Sequence, residues 1–215
     1  DGNTCVYVVS REGGSPRRLT YHPGADWVRG WTPDGLRVVF ASSRDAHTVR
    51  YRRLYTVSLE GGLPEALPMP MGERCAYAPD GSLYLAADTT LYKVNTDDGK
   101  LQKLFEGLVE PQGLAINAES QFFVSQRGTK QCVEVFDASG KVVRTIGKPG
   151  GRIEVGAFDE TGMLRPAQIA LDSQGRLWVT EECHAPKRTS IWAPDGKLAF
   201  DLIGTTAYAA GGQIN

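Results

Sequence analysis

The side chains best suited to chemistry are a polar, cationic set. They lie near the predicted starts of the strands that would line the centre of the fold, which we call inner strands. Guanidinium groups bind carboxylates and phosphates through paired hydrogen bonds and charge, and amides add neutral hydrogen bonds. The set lacks the clustered carboxylates or histidines that a metal-dependent hydrolase or lyase needs. We therefore expect ligand binding without catalysis at five residues: Arg29, Arg74, Gln112, Gln168 and Tyr208.

A second candidate is the most basic window of the chain, residues 44–53, which also contains the aromatic Tyr51. Its guanidinium forks match a carboxylate or a phosphate in geometry, so the window could bind such an anion. The alternative is a solvated hairpin loop whose arginines pair with Asp26 or Glu73. The residues of this loop patch are Arg44, His47, Arg50, Arg52 and Arg53.

A weak metal site is conceivable near the end of a predicted strand, where residues 181–184 read Glu-Glu-Cys-His. Because adjacent residues of an extended chain point to opposite faces, only alternate members such as Glu182 and His184 could share one ion. A third ligand would have to come from His22 or His47, at an unknown distance. We expect these residues to be solvated polar side chains of a loop, with no metal and no cofactor.

These candidates need a scaffold, and residues 25–67 show one complete unit of it. Pro-Asp-Gly at 33–35 and Glu-Gly-Gly at 60–62 predict tight hairpin turns, and the runs between them are rich in β-branched and aromatic residues. The unit therefore reads as four consecutive strands, which we call a to d. They are Ala25–Trp31, Arg37–Ala41, Leu54–Ser58 and Pro64–Leu67.

The c–d turn of this unit recurs along the chain at Gly13, Gly61, Gly99, Gly140 and Gly196. A four-stranded repeat of about 40 to 45 residues indicates a β-propeller blade. Five turns predict an all-β, five-bladed β-propeller of four-stranded antiparallel blades. The termini would share one blade of three or four strands, with Ala207–Ile214 beside Cys5–Val9 and Pro16–Leu19. The alternative is a fragment of a six- or seven-bladed ring.

The composition of the chain limits the classes of binding partner that we expect. A formal net charge of −1 gives no reason to expect nucleic acid, and no apolar run is long enough to span a membrane. The four cysteines lack metal-binding spacing, so we expect free thiols, with a Cys132–Cys183 disulfide as the alternative. We expect a soluble monomer, cytoplasmic if it is recombinant, that binds a peptide or protein on the face that gathers the long b–c and d–a loops.

Residues 5–81 resemble the N-terminal propeller of bacterial tricorn-protease homologues and, more loosely, TolB-like repeats. That resemblance implies a propeller that filters or admits peptides, while proteolysis belongs to later domains of the family. No peptidase activity is therefore expected. The segments that carry the resemblance are 12–26, 30–35, 54–57, 61–64, 71–74 and 77–81.

Residues 82–215 follow a different repeat pattern and resemble NHL repeats, although Glu119-Ser120 replaces the usual glycine turn. Two types of repeat in a single propeller domain, residues 1–215, suggest an engineered or recombined chimera that acts as a non-catalytic scaffold or binding module. The alternatives are a natural propeller with divergent repeats, a metal-dependent hydrolase or lyase with its site at the channel mouth, and an interaction fragment of a larger bacterial protein. The NHL-like segments are 108–116, 131–141, 143–147, 164–172, 175–181 and 191–197.

Overall fold

Alternating glycine turns and apolar strands produce an all-β chain in the computed structural model, which describes residues 4–46, 51–183 and 186–204. The chain divides into two compact units, Asp1–Glu106 and Gly107–Asn215. We call them the N-terminal and C-terminal units.

The N-terminal unit contains two four-stranded antiparallel sheets, each with consecutive strands side by side. A short ladder of β1 (Tyr7–Val8) with β2 (Arg17–Arg18) precedes them. The first sheet contains β3 (Asp26–Trp31), β4 (Arg37–Ser42), β5 (Arg53–Ser58) and β6 (Glu65–Ala66). The second contains β7 (Arg74–Tyr77), β8 (Leu83–Ala87), β9 (Thr90–Val94) and β10 (Leu101–Glu106).

The C-terminal unit repeats the same arrangement twice. Its first sheet contains β11 (Pro111–Ile116), β12 (Phe122–Gln126), β13 (Cys132–Phe136) and β14 (Val142–Ile146). Its second contains β15 (Pro166–Leu171), β16 (Leu177–Glu181), β17 (Arg188–Trp192) and β18 (Leu198–Ile203). The predicted four-stranded antiparallel blade is therefore confirmed.

The predicted number of five blades is wrong, because the described residues form four four-stranded blades and one two-stranded ladder. The Gly13 turn resembles the c–d turn of a blade, but the two strands that it joins form only two residue pairs, Tyr7 with Arg18 and Val8 with Arg17. A glycine turn marks one hairpin, and a hairpin does not require two further strands. The predicted closing strand, Ala207–Ile214, lies outside the described residues.

The glycine-free turn of the third blade keeps the geometry of its counterparts. Gly35 and Gly81 have φ angles of 69° and 86°, and Ser120 has a φ angle of 57° at the equivalent turn. A serine can occupy this left-handed region at a modest energetic cost, so the hairpin does not need its glycine. The strand register on either side is regular over four residue pairs, from Gly113–Ser125 to Ile116–Phe122.

Apolar side chains pack between neighbouring blades. In the N-terminal unit Val39, Leu54 and Met69 share a cluster with Leu83 and Leu85, which lie in the next blade. In the C-terminal unit Phe123, Val133 and Ile146 of one blade pack with Leu177 and Val179 of the other. Each unit is therefore held together by the faces of its two sheets.

All four cysteines are free thiols. Cys75 and Cys132 are buried, and desolvation raises the pKa of Cys75 to about 12 and that of Cys132 to about 11. Both side chains therefore remain neutral near pH 7, as expected of structural rather than reactive cysteines.

The inner strands of the C-terminal unit are joined by the buried hydroxyl of Ser125. It accepts a hydrogen bond from the Gly113 amide at 2.8 Å and donates one to the Ala167 carbonyl at 2.6 Å. A Cβ on Gly113 would lie 2.6 Å from that carbonyl, so glycine permits the close approach. This contact sets the spacing of the two strands that carry Gln112 and Gln168.

The substitution Ser125→Ala should lower the free energy of unfolding of the C-terminal unit by about 1–3 kcal/mol, because it leaves a buried amide and a buried carbonyl without their shared partner. Urea unfolding followed by tryptophan fluorescence measures this change. The exposed Ser173→Ala is the control and should change stability by less than about 0.5 kcal/mol. Equal effects of the two substitutions would contradict the proposed role of the hydroxyl.

Candidate functional site

Three of the five predicted inner-strand residues lie where a strand ladder is interrupted. The register shifts between Val28 and Gly30, between Pro111 and Gly113, and between Pro166 and Ile169. Such bulges turn a side chain away from its regular direction and are frequent beside functional sites. The residues within the three interruptions include Arg29, Gln112 and Gln168.

The structure describes one of the two remaining predicted residues, Arg74, but not the other. Arg74 begins β7 in regular register opposite Ala86. Tyr208 lies outside the described residues. The structure thus places Arg29 with Arg74 in one unit and Gln112 with Gln168 in the other.

In the N-terminal unit, three arginines converge on the carboxylate of Glu73. Arg29 donates a hydrogen bond to Glu73 Oε1 at 2.9 Å, and Arg52 donates to the same oxygen. Arg74 Nη1 lies 3.7 Å from Glu73 Oε2. We call Arg29, Arg52, Arg74 and Glu73 the arginine cluster, and it holds three positive charges against one negative charge.

Burial and aromatic stacking hold the arginine cluster in place. The Arg29 side chain is only 9% exposed, and desolvation lowers its pKa while Glu73 opposes that shift. The Arg52 guanidinium carbon lies 3.9 Å from the centre of the Trp27 ring. Among the described residues, the buried Nε atoms of Arg29 and Arg52 have no hydrogen-bond partner. The contacts with Glu73 and Trp27 therefore fix the positions of these guanidiniums.

The predicted loop patch is not one surface, because its arginines pair with different acids. Arg44 binds both carboxylate oxygens of the buried Asp26, at 3.0 and 2.9 Å. Arg53 lies 4.0 Å from Asp45, and Arg52 belongs to the arginine cluster. His47 and Arg50 lie outside the described residues. The alternative anticipated from the sequence, pairing with Asp26 or Glu73, therefore accounts for Arg44 and Arg52.

A cleft of about 450 Å³ adjoins the arginine cluster. Its polar wall contains Arg52, Glu73 and Arg74, and Asp88 also lines it. Ligand sites in proteins commonly have this size and combine apolar walls with a few polar groups. The apolar lining comes from Tyr51, Pro70, Met71, Leu85, Ala86, Ala87 and Leu101.

In the C-terminal unit, Gln112 and Gln168 lie next to each other, but their amides bind backbone. Gln168 Nε2 donates to the Gln112 carbonyl at 3.4 Å, and Gln112 Nε2 donates to the Glu110 carbonyl at 3.1 Å. These contacts order the two side chains. Both glutamine side chains are uncharged, so this pair attracts a charged ligand less strongly than the arginine cluster does.

A buried ion network in the C-terminal unit was not predicted from the sequence. Glu181 accepts hydrogen bonds from Arg152 at 2.5 Å and from Arg188 at 3.2 Å. Arg188 also binds both oxygens of Asp201, at 2.8 and 3.0 Å. Phe158 covers both guanidiniums, with centroid distances of 5.1 and 5.5 Å. The network ties the loop before β15 to the last blade.

The sequence contained only a weak signal for this network. Arg188 occupies a strand position where an apolar residue is typical, and Glu181 ends the neighbouring strand. Because buried charges need partners, two such residues on paired strands could have suggested an ion pair. Nothing in the spacing identified Arg152, which is supplied by a long loop.

The weak metal candidates are not assembled into a site by the described residues. Glu182 forms an ion pair with Arg127 at 2.6 Å, and His184 lies outside the described residues. Within residues 4–46, 51–183 and 186–204, no group of three or more His, Cys, Asp and Glu residues could hold a metal ion.

Comparison with known proteins agrees with this architecture. Residues 1–107 match the family described as the Tricorn protease N-terminal beta propeller domain. The resemblance to tricorn-type propellers predicted for residues 5–81 is thereby confirmed, and the match continues to the end of the N-terminal unit. The chain has a β-propeller fold.

The alignments with individual relatives cover only part of each relative's length. The uncharacterized protein Atu1656 of Agrobacterium fabrum is 22% identical over 162 residues, 67% of this chain and 54% of that protein. The Tol-Pal system protein TolB of Bordetella pertussis is 40% identical over 58 residues, 26% of this chain and 12% of TolB. This propeller therefore spans about half of the Agrobacterium protein and a small part of TolB.

Solved propellers show the same fold. XC5397, a gluconolactonase from Xanthomonas campestris, is 18% identical with a TM-score of 0.61, over 94% of this chain and 69% of that chain. At this identity the likeness concerns the fold alone. The part of this propeller that the structure describes contains no helix long and apolar enough to cross a membrane.

The arginine cluster makes a stability prediction. Glu73→Gln should lower the free energy of unfolding of the N-terminal unit by about 1–3 kcal/mol, less than for a fully buried pair because the Glu73 side chain is 28% exposed. Added sulfate should recover part of this loss by supplying the missing negative charge. Urea midpoints in chloride and in sulfate at matched ionic strength measure both effects.

The control for this prediction is Glu60→Gln, which removes an exposed carboxylate from a turn of the same unit. Sulfate stabilises most proteins by exclusion from their surface, so the control measures that general effect. If sulfate raises the midpoints of the wild type and both variants equally, the cluster does not bind anions.

Proposed function

We propose that this propeller is a non-catalytic binding module that recognises an anionic group, carboxylate or phosphate, of a peptide or protein ligand. The observation that carries the proposal is the arginine cluster, in which, among the described residues, three guanidiniums share the carboxylate of Glu73. Arg52 and Arg74 line a cleft of ligand size. A ligand anion would supply the negative charge that the cluster lacks.

Physical chemistry supports binding at this point. Charge-assisted hydrogen bonds to guanidinium are stronger than neutral ones, and Arg52 is already oriented by Trp27. Rigid placement lowers the entropy that binding must overcome. The similarity of residues 1–107 to tricorn-type propellers supports a peptide as the ligand, since the resemblance implies peptide passage.

Binding is tested with two short peptides, acetylated and amidated at their ends, that differ only by a central glutamate or glutamine. The glutamate peptide should bind about tenfold or more tightly than the glutamine peptide, because only it offers an anion. Arg52→Met should remove this preference, and added salt should weaken it. Fluorescence titration is suitable, because Trp27 contacts Arg52.

The matched control is Arg11→Met, which removes an exposed arginine that pairs only with the adjacent Glu12 among the described residues. It should bind the glutamate peptide as the wild type does. Equal binding of the two peptides by the wild type would overturn the proposal.

The alternative function is a metal-dependent hydrolase or lyase. Elemental analysis of the purified protein distinguishes the two classes: we expect no stoichiometric zinc or calcium. A stoichiometric metal that is lost in Glu182→Gln would favour the enzyme, with Glu182 and His184 as its starting ligands. Glu119→Gln, at an exposed turn in the same unit, is the control.

Origin is a separate part of the proposal. The NHL-like character of residues 82–215 and the chimeric assembly remain predictions. The Agrobacterium relative aligns with 67% of this chain, more than either unit contains, which supports a natural propeller with divergent repeats as the alternative. Neither origin changes the chemistry of the arginine cluster.

A further inference from the structure

The cleft beside the arginine cluster also contains an acid that pairs with no cation among the described residues. Asp88 follows the last residue of β8 and lines the same cleft as Arg52 and Arg74. It is exposed and makes no hydrogen bond or ion pair among the described residues. Its backbone has a φ of 51°, a region that aspartate tolerates better than most residues.

The position of Asp88 relative to the cluster follows from the strand pairing. Arg74 is the partner of Ala86 across the β7–β8 ladder, and Asp88 is two residues beyond Ala86. Asp88 lies in the turn between β8 and β9, and Arg52 lies just before β5 of the other sheet of the unit. Both border the same cleft as Arg74, so a ligand that fills the cleft contacts charges of both signs.

The lining between these charges is largely apolar. Leu85 and Ala86 come from β8, Met71 comes from the segment before β7, and Leu101 begins β10. Met71 is 53% exposed and Leu101 is 45% exposed, so this lining is available to a ligand. Covering such side chains favours a ligand with an apolar body.

A purely anionic ligand meets a conflict in this cleft. The arginines attract it, but the unpaired carboxylate of Asp88 repels it at short range. A ligand that also carries an ammonium group removes this repulsion and adds a charge-assisted hydrogen bond to Asp88. The charge pattern therefore matches a zwitterion better than an anion.

We propose that the cleft binds an apolar zwitterion, a free α-amino acid or short peptide, with its ammonium group on Asp88 and its anionic group on the arginine cluster. This inference rests on the proposed function, because it assigns the anionic group to the same arginines. It adds the recognition of a cation and an apolar side chain. Asp88 is then a residue that determines specificity.

The test compares three ligands in calorimetric titrations: leucine, N-acetylleucine, which lacks the cation, and leucinamide, which lacks the anion. Leucine should bind the wild type about tenfold more tightly than either derivative, because each derivative loses one charge-assisted contact. Asp88→Asn should reduce leucine affinity to that of N-acetylleucine and leave N-acetylleucine binding equal or stronger. Arg52→Met should weaken leucine and N-acetylleucine alike.

The matched control is Asp97→Asn, which removes an exposed carboxylate from the c–d turn of the same blade, away from the cleft lining. It should leave all three affinities unchanged. Replacing leucine by glycine tests the apolar lining, and glycine should bind about tenfold more weakly, since several buried methylene equivalents are lost.

The outcomes separate this inference from the proposed function. If N-acetylleucine binds as tightly as leucine and both depend on Arg52, the anion site stands and the ammonium site is overturned. If the glutamate peptide binds but leucine does not, the same conclusion follows. If neither the glutamate peptide nor any leucine derivative binds, both are overturned. Wild-type leucine affinity in Asp88→Asn also overturns the role of Asp88.

Discussion

The shared carboxylate of Glu73 is the interaction on which the candidate site depends. It lies between Arg29 and Arg52, both largely removed from water, and close to Arg74. Without it, like charges would repel one another across a region of reduced dielectric. With it, three guanidiniums are held around one carboxylate among the described residues. The same contact therefore holds the arginines together and leaves them able to attract a further anion.

The two units differ in how their buried arginines are paired with acidic groups. In the C-terminal unit, Arg188 is fully matched by Glu181, Asp201 and backbone carbonyls, so its network fastens a loop. In the N-terminal unit three arginines share Glu73 among the described residues, and two of these arginines line a cleft. A buried network contributes mainly to structure, whereas charged groups that border a cleft are placed to meet a ligand. This contrast is the reason for assigning the binding role to the N-terminal unit.

The sequence predicted local structure better than it predicted assembly. The strands of residues 25–67 appear within one residue of the expected bounds, since Pro-Asp-Gly and Glu-Gly-Gly turns determine hairpins locally. The blade count failed because the Gly13 turn has the same local chemistry as a blade turn, and strand partners are set by long-range contacts. Arg29 and Arg74 were predicted by their positions and Glu73 only as a possible partner of the loop arginines, whereas Asp88 was not predicted. Their importance arises from charge balance in three dimensions, which spacing along the chain does not contain.

The interruptions in the inner strands have a consequence for how such a scaffold can change. Arg29 and Gln112 are skipped by the regular pairing of their ladders, so the neighbouring strands do not depend on the identity of either side chain. Ligand preference can then drift at these positions while the sheets remain intact. A propeller built this way separates the residues that maintain its architecture from those that diversify its chemistry, and one framework can serve many unrelated ligands.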